Sequence, residues 1–150
     1  MPDRKTHSTY GTVAGMCFSA YHTRNHPGVG ALAEVAGGGL GGRWGGRLPD
    51  ILDPGIHSHH RDVCHSVAAL LGAAAITTEA ARRYCRDRAD EHRVARQALP
   101  EASLPALLLL VAELFWRFVA GLISGLQAGY VSHLLLDAAT PRSLPLLCRI

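Results

Sequence analysis

The 150-residue chain predicts an all-α protein, a compact helical bundle embedded in a membrane with a His/Asp site between its helices. Three observations carry that expectation. No stretch shows sustained alternation of period 2, and the apolar blocks are rich in Ala and Leu rather than in β-branched residues. The run from Leu104 to Ala139 is apolar and long enough to cross ~30 Å of hydrocarbon. Between two apolar segments, the stretch from Leu48 to Ser66, LPDILDPGIHSHHRDVCHS, gathers three Asp, four His and one Arg. It is too polar for a core.

The length fits a single domain, 1–150, with one core. Fifteen basic against twelve acidic residues give a net charge of +3, too balanced to signal nucleic-acid binding, so no nucleic-acid partner is expected. Cys17, Cys64, Cys85 and Cys148 form no C-x-x-C pair, which argues against a zinc knuckle and against a disulfide framework. The N-terminal segment lacks the apolar length and small-residue cleavage site of a signal peptide, and is expected to be retained.

In order along the chain, Ser8 to His22 reads as a first helix with Ser8 or Thr9 as its cap. Asn25, Pro27 and Gly28 break it, and Val29 to Ala36 reads as a short second helix of small residues. The following run, Gly37 to Arg47, is so rich in glycine that its backbone is either flexible or pressed against a neighbour. It is not a phosphate-cradling loop of the G-x-x-x-x-G-K type. Asp62 is placed to cap a long helix ending by Pro100, apolar at first and then carrying six Arg between Arg82 and Arg96. That mixed charge run reads as a solvated face with i,i+4 pairs such as Glu79 with Arg83, and it lies on the cytoplasmic side if the helices span.

Within the last apolar helix, Glu113 and Arg117 are spaced to pair on one face. Gly121, Gly125 and Gly129 then form a small-xxx-small ridge that lets another helix approach closely, in this chain or in a second copy as a homo-oligomer. The same spacing continues to His133 and Asp137, one turn apart on one face. His and Asp suit zinc, manganese or iron, zinc foremost. On this reading Asp50, His60 and His65 from the loop join His133 and Asp137 in one shared metal site, because neither cluster alone supplies a full ligand set. A solvated loop and a satisfied core His are the plain alternatives.

L-P-D, then H-R-x-x-x-H-S, and much later G-Y-x-S-H-x-x-x-D-x-x-T-P together resemble the bacterial YdjM-like family of membrane-bound, metal-dependent hydrolases. The resemblance runs through LPDILDP, HRDVCHS and GYVSHLLLDAATPRSLPLL, and it adds His7 to the implied ligands. The family usually reads P-D-I-D-H-P and H-R-G-x-T-H-S. Here Leu52, Asp53, Asp62 and Cys64 depart from that, while Asp50, His60, Arg61, His65, His133 and Asp137 stand in place. It implies an inner-membrane protein whose metal is held by His7, Asp50, His60, His65, His133 and Asp137. Asp53 is then the candidate general base and Arg61 the candidate anion holder. The expected partners are membrane lipid and a phosphoester substrate, lipid or small molecule. The alternative is a non-enzymatic membrane or helical assembly protein with a structural metal. A membrane-embedded chain requires detergent for purification; recovery as a soluble monomer without it would contradict the expectation.

Overall fold

A computed structural model describes residues 3–52, 75–101 and 103–138. Five helices follow in order: α1 (Arg4–Thr23), α2 (Val29–Gly45), α3 (Leu48–Leu52), α4 (Ala75–Gln97) and α5 (Leu104–Ala138), with no strand among the described residues. The helical bundle is therefore as expected. The expected cap at Asp62 lies outside the described residues.

α1 begins four residues earlier than its apolar pattern suggested, because Asp3 rather than Ser8 or Thr9 caps it. The Asp3 carboxylate accepts from the Thr6 amide at 2.8 Å and the Thr6 hydroxyl at 2.7 Å. Those two bonds, the hydroxyl's foremost, hold the Asp3 carboxyl below its ordinary value. The cap is thus retained above the usual carboxylate range and lost as pH falls through the lowered value. At the other end the chain turns through Gly28, whose φ of 140° disfavours a side chain although the space around it is open.

α2 does not stop at Ala36. It continues through the glycine run to Gly45, and seven of its seventeen residues are Gly. Each costs roughly 1 kcal/mol of helix propensity relative to Ala, so local preference does not make this helix. Packing does. A Cβ on Gly37, Gly41 or Gly45 would stand 2.1 Å from the Phe118, Leu122 or Leu126 carbonyl of α5. The Gly38 carbonyl would be met at 2.1 Å by a Cβ on Gly15 of α1 and at 2.1 Å by one on Gly125 of α5. The Gly42 carbonyl would be met by one on Gly11 at 2.3 Å and one on Gly129 at 2.2 Å. Three helix backbones therefore touch along two successive layers. The residue order of these contacts makes α2 parallel to α5 and α1 antiparallel to both. The ridge Gly121, Gly125 and Gly129, expected also as a surface for a second copy, is filled by α2 of the same chain.

The interior inverts the rule for water-soluble proteins. Among the described residues the buried apolar side chains are few, Cys85, Ala89, Ala106, Ala120 and Leu134 with Pro49, whereas His7, Glu34, Arg82, Glu113, Arg117, His133 and Asp137 are all buried. Tyr10, Val13, Met16 and Phe18 of α1, Leu32, Leu40 and Trp44 of α2, and Leu107, Leu108, Val111 and Phe115 of α5 point outward. α5 holds a window of mean hydropathy 2.1, long enough to cross a membrane, and only 28% of that window is buried.

α4 packs antiparallel against α5, from Thr78 beside Gln127 to Arg96 beside Glu113. The expected Glu79–Arg83 pair is present at 2.6 Å, and Arg83 is exposed. The rest of the charge run is not simply solvated. Arg86 donates to buried Glu34 of α2 from Nε at 2.9 Å, Asp90 accepts from Arg117 at 2.5 Å, and Arg96 donates to Glu113 at 3.1 Å. Glu113 and Arg117 thus reach across to α4 rather than pairing with each other. The cause is that antiparallel α4 sets an opposite charge at each of their levels.

Two outcomes are expected. Gly42→Ala or Gly125→Ala destabilises by more than the ~1–3 kcal/mol usual for overpacking, since the obstacle is backbone that cannot swing aside. Gly30→Ala, whose nearest neighbour is the flexible Arg117 side chain at 3.5 Å, is close to neutral. Denaturant unfolding in micelles measures both. Glu34→Gln strands Arg86 and costs about 3 kcal/mol, whereas Glu34→Met with Arg86→Met recovers most of that loss; equal losses in the single and double variants would contradict the assignment.

Candidate metal centre

The third layer of the α1/α2/α5 contact carries histidines where the first two carry glycines. A Cβ on Gly46 would stand 2.4 Å from the His7 carbonyl, and the Gly46 carbonyl lies 2.8 Å from Nδ1 of His133. The rings of His7 and His133 stack there with centroids 3.9 Å apart. A carbonyl can only accept, so Nδ1 of His133 carries the proton and Nε2 keeps its lone pair. That nitrogen faces two carboxylates: Asp50 Oδ1 at 3.6 Å and Asp137 Oδ2 at 3.5 Å. The second oxygen of Asp137, Oδ1, lies 3.6 Å from Nε2 of His7.

α3 delivers Asp50. It is a single short turn of helix opened by Leu48 and Pro49, where a proline costs no hydrogen bond, and it follows α2 directly. The ligand-type atoms of His7, Asp50 and His133 all lie within 4.8 Å of one another. Asp137 of α5 borders this group through both of its oxygens, Oδ1 toward His7 and Oδ2 toward His133. Zinc bonds of 2.0–2.1 Å at tetrahedral angles put neighbouring ligand atoms about 3.3–3.4 Å apart, and the three separations of 3.5–3.6 Å are only slightly longer. The donor set, two imidazoles and two carboxylates, is the chemistry such an ion takes.

Of the residues expected to form one site, His7, Asp50, His133 and Asp137 are brought together. His60, His65, Asp53 and Arg61 lie outside the described residues. Asp50, at the start of the stretch from Leu48 to Ser66, lies 3.6 Å from His133 of the last helix. Two features were missed from sequence. The Gly46 carbonyl that orients His133 is a backbone group and leaves no side-chain signal. The row His7, Gly11, Gly15, Ser19 and Thr23, every buried residue of α1, repeats at the same four-residue spacing as the α5 ridge and could have been found by it.

The geometry can now be set beside known proteins. A family of inner membrane proteins, YdjM, has a model that matches residues 1–148. The chain belongs to the YdjM inner membrane protein family. No curated protein and no solved structure matches it. Membership puts this YdjM-family chain in the inner membrane, in keeping with the outward apolar faces of α1, α2 and α5.

Proposed function

We propose that this YdjM-family protein is a metal-dependent hydrolase of the inner membrane acting on a phosphoester, with a lipid as the foremost substrate class. The grouping of His7, Asp50 and His133 within 4.8 Å, with Asp137 at 3.5–3.6 Å from both imidazoles, supports it above all. His133 and Asp137 offer donors from one turn of α5. His7 offers Nε2 from α1, and Asp50, the partly open member at 23% side-chain exposure, offers Oδ1 from α3. The Gly46 carbonyl holds the His133 ring so that it cannot turn its lone pair away. When bound, a divalent ion supplies Lewis acidity and a more acidic water. Asp53 is the proposed general base and Arg61 the proposed holder of the phosphoryl oxygens, both argued from sequence.

A second reading, a non-enzymatic membrane protein with a structural metal, is favoured by the near-complete burial of His7, His133 and Asp137. Closed sites are structural, and catalytic ones keep a position open to water.

Metal analysis of the purified chain, with hydrolysis of a phosphoester panel, tests both. His7→Ala and His133→Ala are each expected to weaken zinc binding at least roughly tenfold, and the double variant to do little more than the worse single one. Chelation separates the readings: lost hydrolysis with helicity intact supports the enzyme, and lost helicity supports the structural metal. Full zinc retention in both single variants would defeat the metal reading altogether.

A further inference from the structure

On the outer side of the α1–α2 pair, at the same end of the bundle as the histidines, lies a second polar feature that the metal reading does not use. Arg4 and Lys5 from the first turn of α1 and Arg43 and Arg47 from the end of α2 line an open cleft of about 460 Å³. No carboxylate pairs with any of the four among the described residues, whereas Arg82, Arg83, Arg86, Arg88, Arg96 and Arg117 all have one. Asp3, the acid nearest in sequence, is held at the helix cap by Thr6. The cleft also contains hydroxyls. Those of Thr9 and Thr12 donate to backbone carbonyls of α1, at Lys5 and Ser8, which leaves Ser8 as the hydroxyl available to a ligand.

Four like charges this close repel unless an anion sits among them. Arginine forks match the oxygens of a phosphoryl group in particular. The depth of the cleft decides where that group comes from. One turn further along the same face the surface becomes apolar, with Met16 on α1 and Leu40 on α2, and Trp44 is exposed on α2 between Arg43 and Arg47. From Thr6 to Tyr21 the outward face of α1 carries no charged residue, about 24 Å of helix at 1.5 Å per residue. A basic cleft at the end of such an apolar face sits where hydrocarbon gives way to headgroups.

We propose that this cleft is an anion site that takes the phosphoryl group of an anionic phospholipid, whose chains lie against Met16 and Leu40 with Trp44 at the level of the headgroup. The site is separate from the His/Asp centre, which faces the other side of the α1–α2 seam, and it does not depend on that centre holding metal.

Trp44, exposed beside Arg43, provides the test. The full chain carrying Trp116→Phe, so that Trp44 is its one tryptophan, is reconstituted in zwitterionic vesicles containing a minor fraction of brominated lipid. Brominated phosphatidylglycerol is expected to quench Trp44 several-fold more than the same fraction of brominated phosphatidylcholine. Each cation removed, as Arg4→Gln, Lys5→Gln, Arg43→Gln or Arg47→Gln, should lower that preference by up to roughly fivefold. Arg83→Gln with Arg93→Gln, which removes two exposed charges elsewhere, should leave it unchanged. A preference that survives millimolar inorganic phosphate identifies the lipid headgroup as the source. One that phosphate displaces identifies the same phosphoryl chemistry supplied from solution. Equal quenching by the two lipids with no effect of phosphate would overturn the proposal, and so would a preference lost equally in the Arg83/Arg93 variant, since that reports net charge rather than a site. Circular dichroism of each variant confirms that the fold is retained, and zinc content, unchanged in all of them, separates this result from the fate of the metal reading.

Discussion

Everything else in the bundle depends on three backbones meeting at the carbonyls of Gly38 and Gly42. Helices in lipid gain little from burying apolar side chains against one another, because lipid tails are just as apolar, so close backbone approach and interhelical polar contacts must hold them together. Here the approach is so close that no side chain fits between α1, α2 and α5 over two layers. That explains an otherwise odd composition of the interior, in which, among the described residues, a few small or medium apolar side chains are buried beside ten polar or charged ones. The large apolar side chains are on the outside because glycine has left them no room within.

The same contact determines where polar groups can go. Below the glycine layers the row ends in His7 and His133, which stack against each other and meet the carboxylates of Asp50 and Asp137. Above them it gives way to Glu34, Arg117 and Glu113, which meet Arg86, Asp90 and Arg96 of α4. Arg117 and His133 are sixteen residues apart on one helix, about 24 Å at 1.5 Å per residue. The upper cluster is neutralised within the chain, residue against residue, and its role is to fasten the one strongly polar helix to apolar neighbours. The lower cluster gathers two imidazoles and two carboxylates, with separations of 3.5–3.6 Å between His133 and Asp50, His133 and Asp137, and His7 and Asp137. Two polar centres at opposite ends of one row therefore differ in kind.

Much of this was legible in the sequence, and the particular successes and failures have physical causes. The ridge from Gly121 to Asp137 was readable because a four-residue repeat on a helix is a statement about one face. That α2 runs on past Ala36 was not, since propensity argues against a helix of glycines and only the neighbouring backbones overrule it. Glu113 and Arg117 were correctly placed on one face but assigned to each other, because spacing along a helix says nothing about what lies across from it. Glu34 drew no attention as a lone acid among small residues, yet it is fully buried and anchors α4. Of the candidate ligands, His7 came from the family resemblance alone, while Asp50, His133 and Asp137 followed from residue type and spacing.

The unbroken row on α5 also bears on how such a chain can change over evolutionary time. Glu113, Arg117, Gly121, Gly125, Gly129, His133 and Asp137 occupy every fourth position of one helix, and all seven are buried. Substitutions on the outward face leave that row alone, so lipid-facing positions can drift freely among apolar types. Insertions and deletions cannot. A single residue added just after Gly121 turns everything beyond it by about 100°, carrying His133 off the seam and bringing Ser124 and Ala128 to layers that admit only hydrogen. Length, more than composition, is what this architecture demands of its longest helix.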